Sequence, residues 1–167
     1  INQLLLQPKL IVTDTMNFWM DNCLEDLLEV ISKTNVLIIN DEEALQLSEK
    51  SNLKDAANKI QKMGPDFVII KKGEHGALLF YKNNFFDCPS FKVEKCIDPT
   101  GAGDTFAGAF IGHLNKTDDL SFENMKTGVI KACAMASFCV EKFGVENIVN
   151  KSVNSIKNRI NILSKSN

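Results

Sequence analysis

Residues 98–110 read DPTGAGDTFAGAF, and this stretch decides how the second half of the chain is organised. Gly101 and Gly103 flank Ala102, so no bulky side chain prevents successive backbone N–H groups from turning toward one concavity. The small and apolar residues from Thr105 onward predict a helix, whose first N–H groups lack partners and whose N-terminal end is electropositive. We therefore predict an anion-binding loop at a helix N-terminus.

Asp104 follows the glycines directly, and a carboxylate at this position has two interpretations. In the first, Asp104 caps the helix and has no further role. In the second, Asp104 accepts a proton from a hydroxyl group, while the helix end stabilises the charge on a phosphoryl group that is being transferred. Capping accounts for one residue of the stretch, whereas phosphoryl transfer accounts for the glycines as well.

Composition limits the classes of protein to consider. The chain has 167 residues, of which 44% are hydrophobic, enough for the core of one domain. Its 19 basic and 21 acidic residues give a formal net charge of −2, and no basic run indicates nucleic acid as a partner. No apolar run is long enough to span a bilayer, and no targeting segment is recognisable, so we expect a cytoplasmic protein without a membrane partner.

The five cysteines show no metal-ligand or redox spacing. They are odd in number, contain no C-x-x-C pair and lie mostly in apolar surroundings. We expect free, buried thiols at Cys23, Cys88, Cys96, Cys133 and Cys139.

Apolar runs of strand length alternate with amphipathic stretches of helix length, which predicts an α/β fold with a mostly parallel sheet. The predicted parallel strands are residues 9–14, 36–40 and 67–71, followed by antiparallel edge strands at 77–81 and 85–86. The predicted helices are residues 20–32, 53–63, 105–114, 121–142 and 153–163.

A second group of polar residues, Asn40-Asp41-Glu42-Glu43, directly follows a predicted strand. The carboxyl ends of parallel strands are where ligands bind in open α/β sheets. An asparagine followed by acids is also a common helix start. Two interpretations are therefore kept for Asn40 and Glu43, namely helix capping and ligand binding.

The stretch DPTGAGDTFAGAF resembles the second signature of the PfkB family, the ribokinase-like sugar kinases. The resemblance implies that the backbone of Gly101, Ala102 and Gly103 forms the anion hole and that Asp104 is the catalytic base. It also implies ATP as the phosphate donor and a ribokinase-like three-layer α/β/α fold, with a mostly parallel sheet and antiparallel edge strands.

The resemblance covers essentially the whole chain, but only the C-terminal half of the family's pattern. We therefore expect residues 1–167 to form the C-terminal nucleotide-binding part of a ribokinase-like domain, without the N-terminal half and the sugar lid. Because the lid supplies the dimer contact in many relatives, we expect a homodimer to depend on that missing part.

Two further segments match the family. Asn40 and Glu43 fit its N-x-x-E motif, in which the glutamate helps to hold Mg²⁺, often through water. Residues 71–76, KKGEHG, are similar to its nucleotide-flanking loop, which implies that Gly73 and Gly76 approach ATP, with a weaker match at Lys71.

Two positions beside the glycine loop imply a further ion. In many relatives the residues that match Asp98 and Thr100 help to bind a monovalent cation, so K⁺ is expected there. Cys133 departs from the polar residue that many ribokinases have at this position, and we assign it to core packing.

The pattern predicts an ATP-dependent kinase that phosphorylates a hydroxyl group of a sugar or nucleoside. No G-x-x-x-x-G-K-[ST] stretch, zinc-ligand spacing or serine-nucleophile motif offers another chemistry. One alternative is a non-catalytic nucleotide-binding or assembly module with a kinase fold, and another is a vitamin kinase of the same fold.

Overall fold

The computed structural model describes residues 6–165, which contain five strands and eight α-helices. In chain order these are β1 (Val12–Asp14), α1 (Asn17–Asn22), α2 (Leu24–Ser32), β2 (Val36–Asn40), α3 (Asp41–Ser48), α4 (Leu53–Gln61), β3 (Phe67–Lys71), β4 (Ala77–Tyr81), β5 (Asn84–Cys88), α5 (Ala102–Thr117), α6 (Phe122–Cys139), α7 (Glu146–Val149) and α8 (Val153–Lys165). A 3₁₀ helix, Gly73–His75, precedes β4.

The five strands form one sheet in the order β1-β2-β3-β4-β5. β2 pairs in parallel with both β1 and β3, so that Val36 lies opposite Val12 and Phe67. The connections from β3 to β4 and from β4 to β5 are too short for the crossover that a parallel pair requires, so these strands run antiparallel. The predicted mixed sheet is confirmed.

β1 is shorter than the predicted strand 9–14. The backbone of Ile11 bonds to the segment before β2, because its carbonyl oxygen accepts the N–H groups of Asn35 and Val36 at 2.9 and 3.0 Å. Its own N–H donates to the Asn35 side chain at 2.8 Å. These bonds hold the residue before β1 against the segment before β2, but the strand itself begins only at Val12.

The described chain divides into two compact units, residues 6–71 with 78–85 and residues 72–77 with 86–165. In the first unit, Val36, Leu37, Ile38 and Ile39 of β2 are all fully buried. Since neighbouring side chains on a strand point to opposite faces, both faces of β2 are covered, as the continuous apolar run predicted.

The prediction of one helix over residues 20–32 is wrong. The helix is interrupted at Cys23, which separates α1 from α2. The Cys23 N–H donates to the Trp19 carbonyl oxygen at the end of α1, and the Cys23 carbonyl oxygen accepts the Leu27 N–H of α2. Within α2 the predicted apolar face is buried only in part, since Leu24 is 45% exposed whereas Leu27 is buried.

Three cysteines, Cys88, Cys133 and Cys139, are buried, but Cys23 is half-buried and Cys96 is exposed, so the prediction of burial is wrong for Cys96. All five are free thiols, as predicted. A hydrogen bond with Cys88, together with burial, holds the pKa of the Cys133 thiol well above its usual range. Cys133 is therefore an uncharged thiol of the core.

In the second unit, α5 packs against α6. Gly128 of α6 allows this approach, because a Cβ there would lie 3.0 Å from the Phe110 ring and 3.1 Å from that of His113. α6 ends three residues before its predicted end at Lys142, and the short helix α7 was not predicted. Within residues 6–165, no helix is both long and apolar enough to cross a membrane.

His113 lies buried between α5 and α6, with Nε2 2.9 Å from Asn124 Oδ1 and Nδ1 2.9 Å from Lys131 Nζ. The lysine ammonium can only donate, so the unprotonated Nδ1 accepts a hydrogen bond from it and the imidazole is neutral. Burial and the charge of Lys131 lower the pKa of His113, and the Asn124 bond and the charge of Asp119 oppose this only in part.

This arrangement predicts that acid destabilises the fold through His113. The unfolded chain protonates the imidazole below its ordinary pKa of about 6.5, whereas the folded chain does so only at lower pH. The free energy of unfolding should therefore fall as the pH drops below about 6.5, by at most about 1.4 kcal/mol per pH unit from this group. Urea unfolding at about pH 7.5 and about pH 5 should show a smaller loss for His113→Gln than for wild type. Equal losses would contradict this account.

Candidate functional site

The glycine loop of the second unit leads directly into α5. The helix begins at Ala102, one turn before the predicted start at Thr105, and Gly101 is its N-cap with φ +78°. Asp104 is therefore the third residue of the helix, and no side chain caps this end. Its carboxylate is exposed and accepts no hydrogen bond from residues 6–165. The interpretation of Asp104 as an N-cap is wrong.

Backbone donors are available at this helix end. The Ala102 N–H donates to the Pro99 carbonyl oxygen at 3.2 Å, and the Thr105 N–H to that of Gly101 at 2.9 Å. Across the described chain, the N–H groups of Gly101, Gly103 and Asp104 have no acceptor. Three donors are therefore available at the positive end of a 16-residue helix. The set differs from the predicted one, because the Ala102 N–H is engaged with Pro99. Anion binding at this helix end stays a prediction.

The loop is tied to the end of α6. The Val140 carbonyl oxygen accepts the N–H groups of Ile97 and Asp98 at 2.7 and 3.3 Å. The Asp98 carboxylate accepts the Thr100 N–H at 2.9 Å, and the bonds from Thr100 hold the pKa of Asp98 below its usual value. Asp98 thus carries an ionised carboxylate beside the loop, and K⁺ binding by Asp98 and Thr100 stays a prediction.

In the first unit, Asn40 and Glu43 form a capping box at the start of α3. Asn40 Oδ1 accepts the Glu43 N–H at 2.7 Å, and Glu43 Oε2 accepts the Asn40 N–H at 3.1 Å. Glu43 Oε1 accepts no hydrogen bond from any described residue. Capping is confirmed, and it leaves one carboxylate oxygen available.

Glu43 is only 5% exposed. Burial raises the pKa of its carboxyl group, while the Asn40 bond and the charge of Lys71 act in the opposite direction. A cation at Glu43 Oε1 would relieve the cost of keeping this charge away from water. Among residues 6–165, no cluster of three His, Cys, Asp or Glu side chains forms a protein cage for a metal.

Lys71 and Asp14 form an ion pair at the same edge of the sheet. Lys71 Nζ lies 3.0 Å from each Asp14 carboxylate oxygen, and Lys71 is opposite Asn40 in the parallel register. The structure therefore brings Asp14, Asn40, Glu43 and Lys71 together at the carboxyl ends of β1, β2 and β3. Sequence reasoning missed Asp14, although its position as the last residue of a parallel strand is the signal that identifies it.

Gly73 and Gly76 have different structural roles. Both have positive φ, +55° and +87°. A Cβ on Gly76 would lie 2.0 Å from the Cys88 carbonyl oxygen, so glycine is needed here to pack against the end of β5. A Cβ on Gly73 would have no neighbour within 4 Å, so Gly73 faces open space. Contact of either glycine, or of Lys71, with a nucleotide stays a prediction.

Comparison with known proteins places these features in a family. The model of the pfkB family carbohydrate kinases matches residues 10–152. A nucleoside kinase of Methanocaldococcus jannaschii is 36% identical over 122 residues, covering 73% of this chain and 38% of that protein. A cytidine kinase of Thermococcus kodakarensis is 36% identical over 110 residues, covering 64% and 39%.

Solved structures agree with these matches. The crystal structure of the M. jannaschii nucleoside kinase, an archaeal member of the ribokinase family, superposes with a TM-score of 0.73 at 27% identity, covering 92% of this chain and 48% of that one. An E. coli protein described as a ribokinase II, in complex with ATP and Mg²⁺, has a TM-score of 0.73 at 25% identity, covering 92% and 49%. The ribokinase-like α/β/α fold is confirmed, and the chain spans less than half the length of these relatives.

The conformation of Gly101 predicts opposite effects of two glycine-to-alanine substitutions in the same helix. Gly101→Ala should destabilise the protein by about 1 kcal/mol, because alanine is strained at a positive φ. This cost comes from the backbone alone, since the atom nearest to the new Cβ, Cys139 Sγ, is 3.9 Å away and causes no clash. Gly108→Ala, in the helix interior with open space around it, should stabilise by about 0.5–1 kcal/mol. Urea unfolding measures both, and equal signs would contradict the assigned loop conformation.

Proposed function

Because this chain belongs to the pfkB family of carbohydrate kinases, we propose that its protein transfers the terminal phosphoryl group of ATP to a hydroxyl group of a sugar or nucleoside. The observation that carries the proposal is the N-terminal end of α5. Three backbone donors and the carboxylate of Asp104 are close in the chain and have no described partner. By contrast, α3, α4 and α6 each engage an N-terminal donor through a capping side chain.

Each group of the helix end has a role in the proposed reaction. Asp104 accepts the proton of the substrate hydroxyl as its oxygen attacks, so its carboxylate must be exposed and unengaged. The N–H groups of Gly101 and Gly103 stabilise negative charge on the phosphoryl oxygens. Since the transition state of phosphoryl transfer is loose, rate depends mainly on the positions of these groups.

Glu43 and Asn40 are the residues that we assign to Mg²⁺. A bound Mg²⁺ would neutralise charge on the ATP phosphates, which is the chemistry it supplies. Glu43 Oε2 is used by the capping box, so Oε1 is the oxygen available to the ion or to one of its waters. The cap fixes the carboxylate, and Asn40 acts by orienting it.

The acceptor is proposed as a class. Two of the matched relatives are named as nucleoside and cytidine kinases. A panel of nucleosides and free sugars, tested with ATP and the intact protein, distinguishes the two acceptors. ATP binding without transfer to any of them would favour the alternative of a binding module. Dependence on K⁺ and a homodimer through a lid remain parts of the proposal for the whole protein.

Asp104→Asn should reduce turnover by about 10²–10⁴-fold while ATP affinity stays close to wild type, because the substitution removes the base and leaves the backbone donors in place. Steady-state kinetics and calorimetric ATP binding measure the two effects. The exposed Asp66, in the loop before β3, provides the control, and Asp66→Asn should behave as wild type. Parallel loss of turnover and ATP binding in Asp104→Asn would indicate a structural role.

Glu43→Gln should leave the fold intact, because an amide oxygen still accepts the Asn40 N–H, and should raise the Mg²⁺ concentration needed for half-maximal activity. Asp55 is the matched control, since it occupies the same third position of α4 behind the N-cap Asn52. Asp55→Asn should leave the Mg²⁺ dependence unchanged. If both variants alter it equally, the effect comes from helix stability and the assignment of Glu43 to the metal is wrong.

A further inference from the structure

Arg159, on α8, is the only arginine of the chain. The other 18 of its 19 basic residues are lysines. Its side chain is 11% exposed. Nη1 donates to Ser137 Oγ at 3.0 Å, and Nη2 donates to Glu141 Oε1 at 2.8 Å. The two acceptors are four residues apart, so one guanidinium group spans residues 137–141, which comprise the last turn of α6, its C-cap Val140 and the next residue.

Two aromatic rings hold the guanidinium group in place. Its central carbon lies 3.5 Å from the centroid of the Phe138 ring and 4.0 Å from that of Phe91. A planar, delocalised cation stacks on rings and donates two hydrogen bonds at once, whereas a lysine ammonium is a point charge. The chemistry of this position therefore requires arginine.

The turn that Arg159 spans is weakly bonded by its own backbone. The N–H groups of Val140, Glu141 and Lys142 reach their acceptors only at 3.4 Å, at the limit of a hydrogen bond. A second side chain reinforces the turn, because Asn147 Nδ2 donates to the Phe138 carbonyl oxygen at 2.7 Å and to Glu141 Oε2 at 2.9 Å. Tertiary contacts thus fix this end of α6.

The same turn carries the glycine loop. The Val140 carbonyl oxygen accepts the N–H groups of Ile97 and Asp98, and Cys139 Sγ lies 3.6 Å from the Thr100 carbonyl oxygen. Val140 lies between Ser137 and Glu141, the two residues that Arg159 holds. A shift of the turn would move the entry to the loop, and with it the donors of Gly101 and Gly103.

We propose that Arg159 is a positioning residue, which acts through the last turn of α6 to hold the anion-binding loop in the geometry for phosphoryl transfer. The inference rests on the proposed function for its effect on catalysis. Its effect on the loop is independent of that function and can be measured separately.

The test uses Arg159→Lys and Arg159→Met in the intact protein. Lys142→Met is the control, because Lys142 lies at the same end of α6 but forms an exposed ion pair with Glu146. Within residues 97–104, hydrogen exchange should increase at the hydrogen-bonded amides, which are those of Ile97, Asp98, Thr100 and Ala102. The increase should occur in both Arg159 variants and be larger in Arg159→Met, while the amides of residues 106–114 in α5 stay protected. The ratio kcat/KM should fall about tenfold or more in Arg159→Lys, since small displacements of positioning groups have large effects on rate. Lys142→Met should match wild type in both measurements.

The outcomes separate this inference from the proposed function. Unchanged exchange at residues 97–104 in an active enzyme overturns the role of Arg159 and leaves the function intact. Exchange that rises equally in residues 106–114 indicates general destabilisation and also overturns the role. A local rise at residues 97–104 in a protein that phosphorylates no acceptor supports the positioning of the loop and contradicts the proposed function.

Discussion

An α-helix leaves its first N–H groups without partners inside the helix, and the candidate site depends on how this chain treats that constraint. Side chains cap α3, α4 and α6, through Asn40, Asn52 and Ser121. α5 has no such cap, because its N-cap is Gly101. The corresponding donors of α5 are therefore available to the proposed anion, because Gly101, with its positive φ, has no side chain to cap them.

The first unit places charged side chains close together at the edge of its sheet. Asp14, Glu43 and Lys71 bring two carboxylates and one ammonium to the carboxyl ends of parallel strands. Lys71 pairs with Asp14, while Glu43 is buried, with the Asn40 N–H on one oxygen. A carboxylate that costs free energy to bury, and that has a remaining acceptor oxygen, is suited to a divalent cation.

A loop that must hold donors in place also requires support from outside itself. Glycines permit the conformation of residues 101–103, but flexibility alone does not select it. The selection comes from the carbonyl oxygen of Val140 and from the contacts of Arg159 and Asn147 with the last turn of α6. The conformational freedom that the loop needs is thus restricted by residues about 40 to 60 positions away in the chain.

Local patterns in the sequence determined the parallel strands β2 and β3, the antiparallel edge strands, the glycine loop and the cap at the start of α3. These features depend on side-chain period, glycine and capping residues, which act over a few neighbours. The same patterns missed the break at Cys23, the short helix α7, the exposure of Cys96, the ion pair of Asp14 and the contacts of Arg159. Those were decided by the tertiary structure, because burial and pairing depend on residues that are distant in the chain and meet only when the elements pack.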